Sequence, residues 1–122
     1  MELISEKNGY KTYKNHRDEP YFLFLKNGQK TIEGRIKKGL YREIAVGDHI
    51  VVFNKDETDK VEVLVKRIKN YSSFKEMLET EPFKKILPDV DSVEQGIEVY
   101  KQFYDSEQEK QFGVVVLEVE RV

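Results

Sequence analysis

The chain has 122 residues, with 21 Lys and Arg against 23 Asp and Glu and a formal net charge of −2. At this length one domain buries roughly two-thirds of its unfolded surface, so residues 1–122 are expected to form a single domain with a core that needs no staples. The absence of cysteine excludes disulfides, thiol nucleophiles and cysteine-ligated zinc, and the near-balanced charge argues against strong non-specific adhesion to nucleic acid.

His16 and His49 are too few and too far apart to predict a metal site, and nothing calls for a cofactor. Met1 to Lys11 lacks the apolar core of a signal peptide. No apolar run approaches the roughly 18 residues that span a bilayer, so no membrane partner and a cytoplasmic location are expected. The charge is unevenly spread: Lys26, Lys30, Arg35, Lys37, Lys38 and Arg42 face the single acid Glu33 within residues 26–42, whereas residues 71–122 hold about twice as many acids as bases.

Met1 to Gly9 is polar with little periodicity and is expected to be a loose lead-in, with a short first strand over Tyr10 to Lys14. Asp18-Glu19-Pro20 suits a helix start, with Asp18 as cap. The next five residues, Tyr21 to Leu25, are apolar without a break, and periodicity does not distinguish buried strand from buried helix there.

After the Asn27-Gly28 turn signal comes the most informative stretch. Side chains alternate along a strand, so Thr31, Glu33 and Arg35 would share a polar face, and Ile32, Gly34 and Ile36 an apolar one. Lys30, just ahead of the strand, is free to swing over the polar face. A lysine, a glutamate and an arginine then converge.

Lys37 to Glu43 reads as a basic loop with one helical turn, Gly47-Asp48 as a turn into a strand over His49 to Asn54, and Lys55 to Asp59 as a hairpin connection to a long strand, Val61 to Ile68. Ser72 or Ser73 caps a helix carrying Phe74, Met77 and Leu78; Pro82 opens a further turn that ends at Pro88; Asp91 or Ser92 caps a third helix with Val93, Ile97, Tyr100 and Tyr104 along one stripe. Gln111 to Glu120 is predicted as the last strand, its unbroken Val114 to Leu117 suiting burial on both faces.

Gly28-x-Lys30-x-x-Glu33-x-Arg35 resembles the signature of the ASCH domains, relatives of the PUA-like RNA-binding barrels. Val46 to Phe53 resembles the family's second block, and Phe112 to Leu117 its closing strand, so the resemblance spans roughly residues 16 to 122. It implies an α+β fold: a small, mostly antiparallel β-barrel of five or six strands with flanking helices, one of them short and ending near Gly28.

Three readings of the site follow. As a binding module, Lys30, Arg35, Lys37, Lys38 and Arg42 would engage RNA phosphates, Tyr41 would stack on a base, and an unpaired nucleotide would sit over Glu33. As an enzyme, the chain would resemble the small ASCH amidohydrolases that deacetylate N4-acetylcytidine. Lys30 matches their motif lysine as base, Arg35 would stabilise negative charge, and a modified nucleoside would be the partner. Their threonine is replaced by Glu33, which would act on water; their helical-region glutamate has no motif match among Asp89, Asp91 and Glu94. A ribonuclease on the same residues is a variant of this reading. As a structural device, Lys30, Glu33 and Arg35 would form an ion-pair network with no ligand.

Overall fold

The computed structural model describes residues 1–122 as six strands and five helices: β1 (Glu2–Lys7), β2 (Tyr10–His16), α1 (Tyr21–Asn27), β3 (Ile32–Ile36), a 3₁₀ turn (Gly39–Arg42), β4 (His49–Phe53), β5 (Lys60–Tyr71), α2 (Phe74–Thr80), α3 (Phe83–Ile86), α4 (Val93–Lys101), α5 (Ser106–Phe112) and β6 (Val114–Arg121). All six strands form one sheet in the order β1-β2-β4-β5-β6-β3. Only the β2–β4 pairing is parallel, and the other four are antiparallel. The fold is therefore α+β around a mostly antiparallel sheet. The barrel expectation goes too far, because β1 and β3 are not hydrogen-bonded to each other and the sheet stays open.

β6 is the spine. Val114 and Val116 face one core with Met77, Leu78 and Ile86 from the helices. Val115, Leu117 and Val119 face a second core with Tyr13, Phe22, Ile50 and Val63. Burial on both faces explains why this strand carries a continuous apolar run instead of an alternation.

Tyr21 to Leu25 is helical, as the resemblance implies. Gly28 ends α1 at φ 85, a left-handed conformation that costs a side chain bearing a Cβ but not glycine. Asp18 does not cap this helix: its first turn is held by the Glu19 carboxylate, which accepts from Leu23 N at 2.9 Å. Residues 2–7 are a strand and not a loose lead-in. Asn8 and Gly9 both take positive φ, the type I′ geometry that joins two strands tightly, so β1 folds back on β2. Every residue of β1 is exposed, which is why no apolar pattern announced it. The predicted start of the last strand also moves. Gln111 and Phe112 belong to α5, whose N-terminus is capped by Asp105.

Ser92, not Asp91, caps α4, accepting from Gln95 N at 3.2 Å. Asp91 is exposed and pairs loosely with Lys84 at 3.5 Å. Ser92→Ala should therefore cost about 1 kcal/mol of stability, and Asp91→Ala close to nothing. Urea unfolding of the two variants checks the assignment, and equal losses would contradict it.

Candidate functional site

The alternation along β3 holds. Ile32 and Ile36 enter the helix-covered core, while Glu33 and Arg35 turn toward the other side, where Lys30 joins them. Lys30 follows the turn that closes α1, and its backbone N–H donates to Phe24 O at 3.0 Å. The Lys30 side chain is only 3% exposed. Its Nζ donates to Ile32 O at 2.9 Å and to Ile86 O at 2.5 Å, at the end of α3. It lies 3.8 Å from Glu33 Oε1.

Glu33 is the centre of the cluster, its side chain 6% exposed. Arg35 Nη2 approaches Oε2 at 2.7 Å, and Arg17 Nη2 approaches the same oxygen at 3.1 Å. These contacts are ionic in distance but poorly aligned, so neither carboxylate oxygen holds a well-formed hydrogen bond, and the Arg17 Nε is a buried donor with no partner. Burial alone would push the Glu33 pKa up, yet Arg17, Arg35 and Lys30 outweigh it and hold the carboxyl at about 2. Burial lowers the Lys30 ammonium to about 8; Glu33 opposes that shift, and Arg35 and Arg17 add to it. Burial also works against the Arg35 guanidinium, but Glu33 dominates and its pKa rises.

These groups line a cavity of about 350 Å³, near the small end of the roughly 300–1,000 Å³ range of ligand pockets. Tyr21, Tyr100, Phe103 and Tyr104 supply aromatic wall, Leu87 and Val99 apolar wall, and His16 and Asp18 also line it. The Tyr21 hydroxyl donates to Asp89 at 3.3 Å, and burial together with this carboxylate raises the phenol to about 12. Of the three acids considered from the sequence, Asp89 alone acts on Lys30; Asp91 pairs with Lys84, and Glu94 lines another groove. That groove, about 1380 Å³ between α2, α4 and α5, is larger but wide open and contains none of the buried charges.

The basic run divides. Lys38 and Tyr41 line a second depression of about 280 Å³ that shares Arg35 and Tyr104 with the first. Lys37 and Arg42 line neither. Tyr41 is not free to swing, since its hydroxyl accepts from Asn15 Nδ2 at 2.9 Å. Sequence reasoning missed Arg17, which comes from the end of β2 and carries no periodic signal. Tyr100, placed by the sequence on an apolar stripe, is part of the helix-covered core and also lines the cavity.

An α+β chain with one open mixed sheet and a Lys-Glu-Arg cluster set at the start of its edge strand fits the class implied by the motif. The ASCH domain model matches residues 16–122, and the chain belongs to that family. No curated protein matches it. It is similar to the crystal structure of hypothetical protein PH0355, with 43% identity and a TM-score of 0.81 over 91% of this chain and 99% of that one. It is also similar to the solution NMR structure of protein PF0455 from Pyrococcus furiosus, with 39% identity and a TM-score of 0.73 over 91% of this chain and 97% of that one. No helix is long and apolar enough to cross a membrane.

The electrostatics give a signed pH dependence. The Glu33 pKa is depressed from the ordinary 4.5 to about 2. Its contribution is therefore complete above the unfolded value and is lost as pH falls from about 4.5 through about 2, on the order of 3 kcal/mol in all. Lys30 acts in the other window: its pKa is lowered from 10.5 to about 8, so the cost of burying the ammonium is relieved as pH rises from about 8 toward 10.5. Glu33→Gln should lower stability by about 3–5 kcal/mol at pH 7, because the buried Lys30 and the partly buried Arg17 and Arg35 lose their counter-charge, and should flatten the acid slope. Urea unfolding across pH checks both, and an unchanged acid slope in the variant would contradict the assignment.

Proposed function

We infer that the chain is a nucleotide-binding module, residues 1–122 acting as one unit, whose pocket takes a single unpaired nucleotide of an RNA strand. The observation that supports this most is the charge balance in the cavity. Arg17, Arg35 and Lys30 face the one buried carboxylate of Glu33, and the walls are tyrosines and Phe103. A pocket floor with surplus positive charge favours a phosphate-bearing ligand, and aromatic walls favour a base that stacks. Glu33 then serves to hold the two guanidinium groups in place. The adjoining depression with Lys38 and Tyr41 supports a strand that continues past the pocket, with Arg35 and Tyr104 between successive nucleotides. Lys37 and Arg42, outside both depressions, would act at longer range on the phosphates.

A second reading, an amidohydrolase on N4-acetylcytidine-type nucleosides, has one observation in its favour. With a pKa of about 8, about a tenth of Lys30 is neutral at pH 7. The carbonyls of Ile32 and Ile86 accept from both N–H bonds of a neutral amine, so deprotonation leaves no orphan donor. Glu33 fits the water-activating role poorly, because a carboxyl held at about 2 is a weak base.

A short single-stranded RNA should bind at low salt and lose affinity as salt rises, while a duplex of the same sequence binds less. Lys38→Ala should reduce the slope of log affinity against log salt by about 0.7, the share of one phosphate contact on a single strand. Fluorescence anisotropy reads both; absence of binding at low salt, or a slope indifferent to Lys38, counts against the RNA reading. Acetate release from N4-acetylcytidine tests the second reading. Catalysis by Lys30 requires that Lys30→Arg, which keeps the charge but cannot lose its proton, abolish turnover; no release by the wild-type chain discards the enzyme.

A further inference from the structure

Tyr100 lies in α4, far from the motif in sequence, and its ring is packed in the helical core. Phe74 stacks on it with centroids 4.2 Å apart and planes at 10°, and Phe74 also stacks on Tyr104. The side chain has little freedom, so the position of its hydroxyl is set by packing. Gly34 makes room for that position: a Cβ there would lie 3.1 Å from the Tyr100 Oη and 2.5 Å from Met77 Sδ. The Met77 thioether fills the space of the absent side chain on β3, and the Tyr100 hydroxyl sits at its margin.

That hydroxyl is not used by the protein. The Tyr21 and Tyr71 hydroxyls donate to Asp89 and Glu81, and that of Tyr41 accepts from Asn15. The Tyr13 hydroxyl is sealed in without a partner. Tyr100 is only 6% exposed, makes no hydrogen bond through its hydroxyl, and lines the cavity beside Lys30, Glu33 and Arg35. Unlike the sealed Tyr13 hydroxyl, that of Tyr100 opens onto the cavity, so an otherwise buried side chain presents one fixed donor to whatever fills the pocket.

We propose that Tyr100 is a ligand-binding residue of this pocket, its hydroxyl donating to an anionic oxygen group, a phosphate or a carboxylate, that Arg17, Arg35 and Lys30 draw in. The charge around it selects the ligand chemistry. The cationic neighbours only donate hydrogen bonds, and the Arg17 Nε is itself a buried donor without a partner. The Glu33 and Asp18 carboxylates also line the cavity, but Arg17, Arg35, Lys30 and the Tyr100 hydroxyl outnumber them, and this excess of donors favours an acceptor-rich group over an amine. Burial raises the phenol's pKa, with Arg35 opposing, so the hydroxyl remains a donor across the neutral range.

This assignment rests on the nucleotide reading for the ligand's identity, but not for its chemistry, and the experiment separates the two. Inorganic phosphate and the four ribonucleoside 5′-monophosphates are titrated by NMR into wild type and Tyr100→Phe. The substitution should leave the urea midpoint unchanged or slightly raised, because no protein hydrogen bond is lost. Affinity for phosphate and for the monophosphates should fall at least tenfold, and the Tyr100 Cζ resonance of the wild type should shift as phosphate saturates. Phosphate binding through Tyr100 without any binding of monophosphates would remove the nucleotide reading and keep the assignment. Equal phosphate affinity in the two proteins, or no phosphate binding by the wild type, overturns it, whether or not RNA binds.

Discussion

The structure depends on one carboxylate placed where carboxylates are expensive. Glu33 is buried at the meeting of three segments: Arg17 at the exit of β2, Lys30 after α1, and Arg35 two residues further along β3. Removing an ion from water costs several kcal/mol, and an apolar side chain of similar size would pack at no such cost. A cluster of this kind is therefore a poor device for stability alone. Its geometric effect is clearer: one negative centre gathers two guanidinium groups and an ammonium that would otherwise repel one another, and holds them at the floor of a small cavity.

The surroundings of that cavity are shaped by the same economy of contacts. Lys30 donates to the last carbonyl of α3, and Thr31 N donates to Lys85 O. α3 thereby covers the outer edge of β3 and fixes the lysine from the far side. α4 brings Tyr100 to the aromatic wall, and the missing side chain at Gly34 lets its hydroxyl approach the strand. The aromatic wall belongs to the helix-covered core, in which Tyr100 is buried and against which Tyr21 and Tyr104 pack.

How much of this was legible in the residues follows from what makes each feature. The strand alternation placed Glu33 and Arg35 on one face, and the Asn27-Gly28 turn freed Lys30 to join them, because both are local effects. Arg17 reaches the site only through the parallel pairing of β2 with β4 and the position of β3, and no local pattern encodes such pairings. The open sheet was illegible for the same reason. β1 was missed because all its residues are exposed and alternation has nothing to report. α5 was missed because Ser106 to Phe112 has almost no apolar stripe, although Asp105 followed by an acidic first turn was a readable start signal. Tyr100 shows that core packing and cavity lining are not exclusive for a tyrosine, whose ring is buried while its hydroxyl reaches the cavity.

The open sheet has an outer margin at β1, where a row of backbone donors and acceptors meets water. Such a margin invites a neighbouring molecule to add a strand, and with Leu3 and Ile4 exposed on it the invitation would seem strong. The pairing irregularity between Leu3 and Ser5 interrupts the ladder in the middle of the strand, and Glu2, Glu6 and Lys7 put charge near both ends. A second chain docking there would lose register after two or three residues. The bulge thus works as a stop against fibre-like stacking, and lets the protein keep an unpaired strand without becoming sticky.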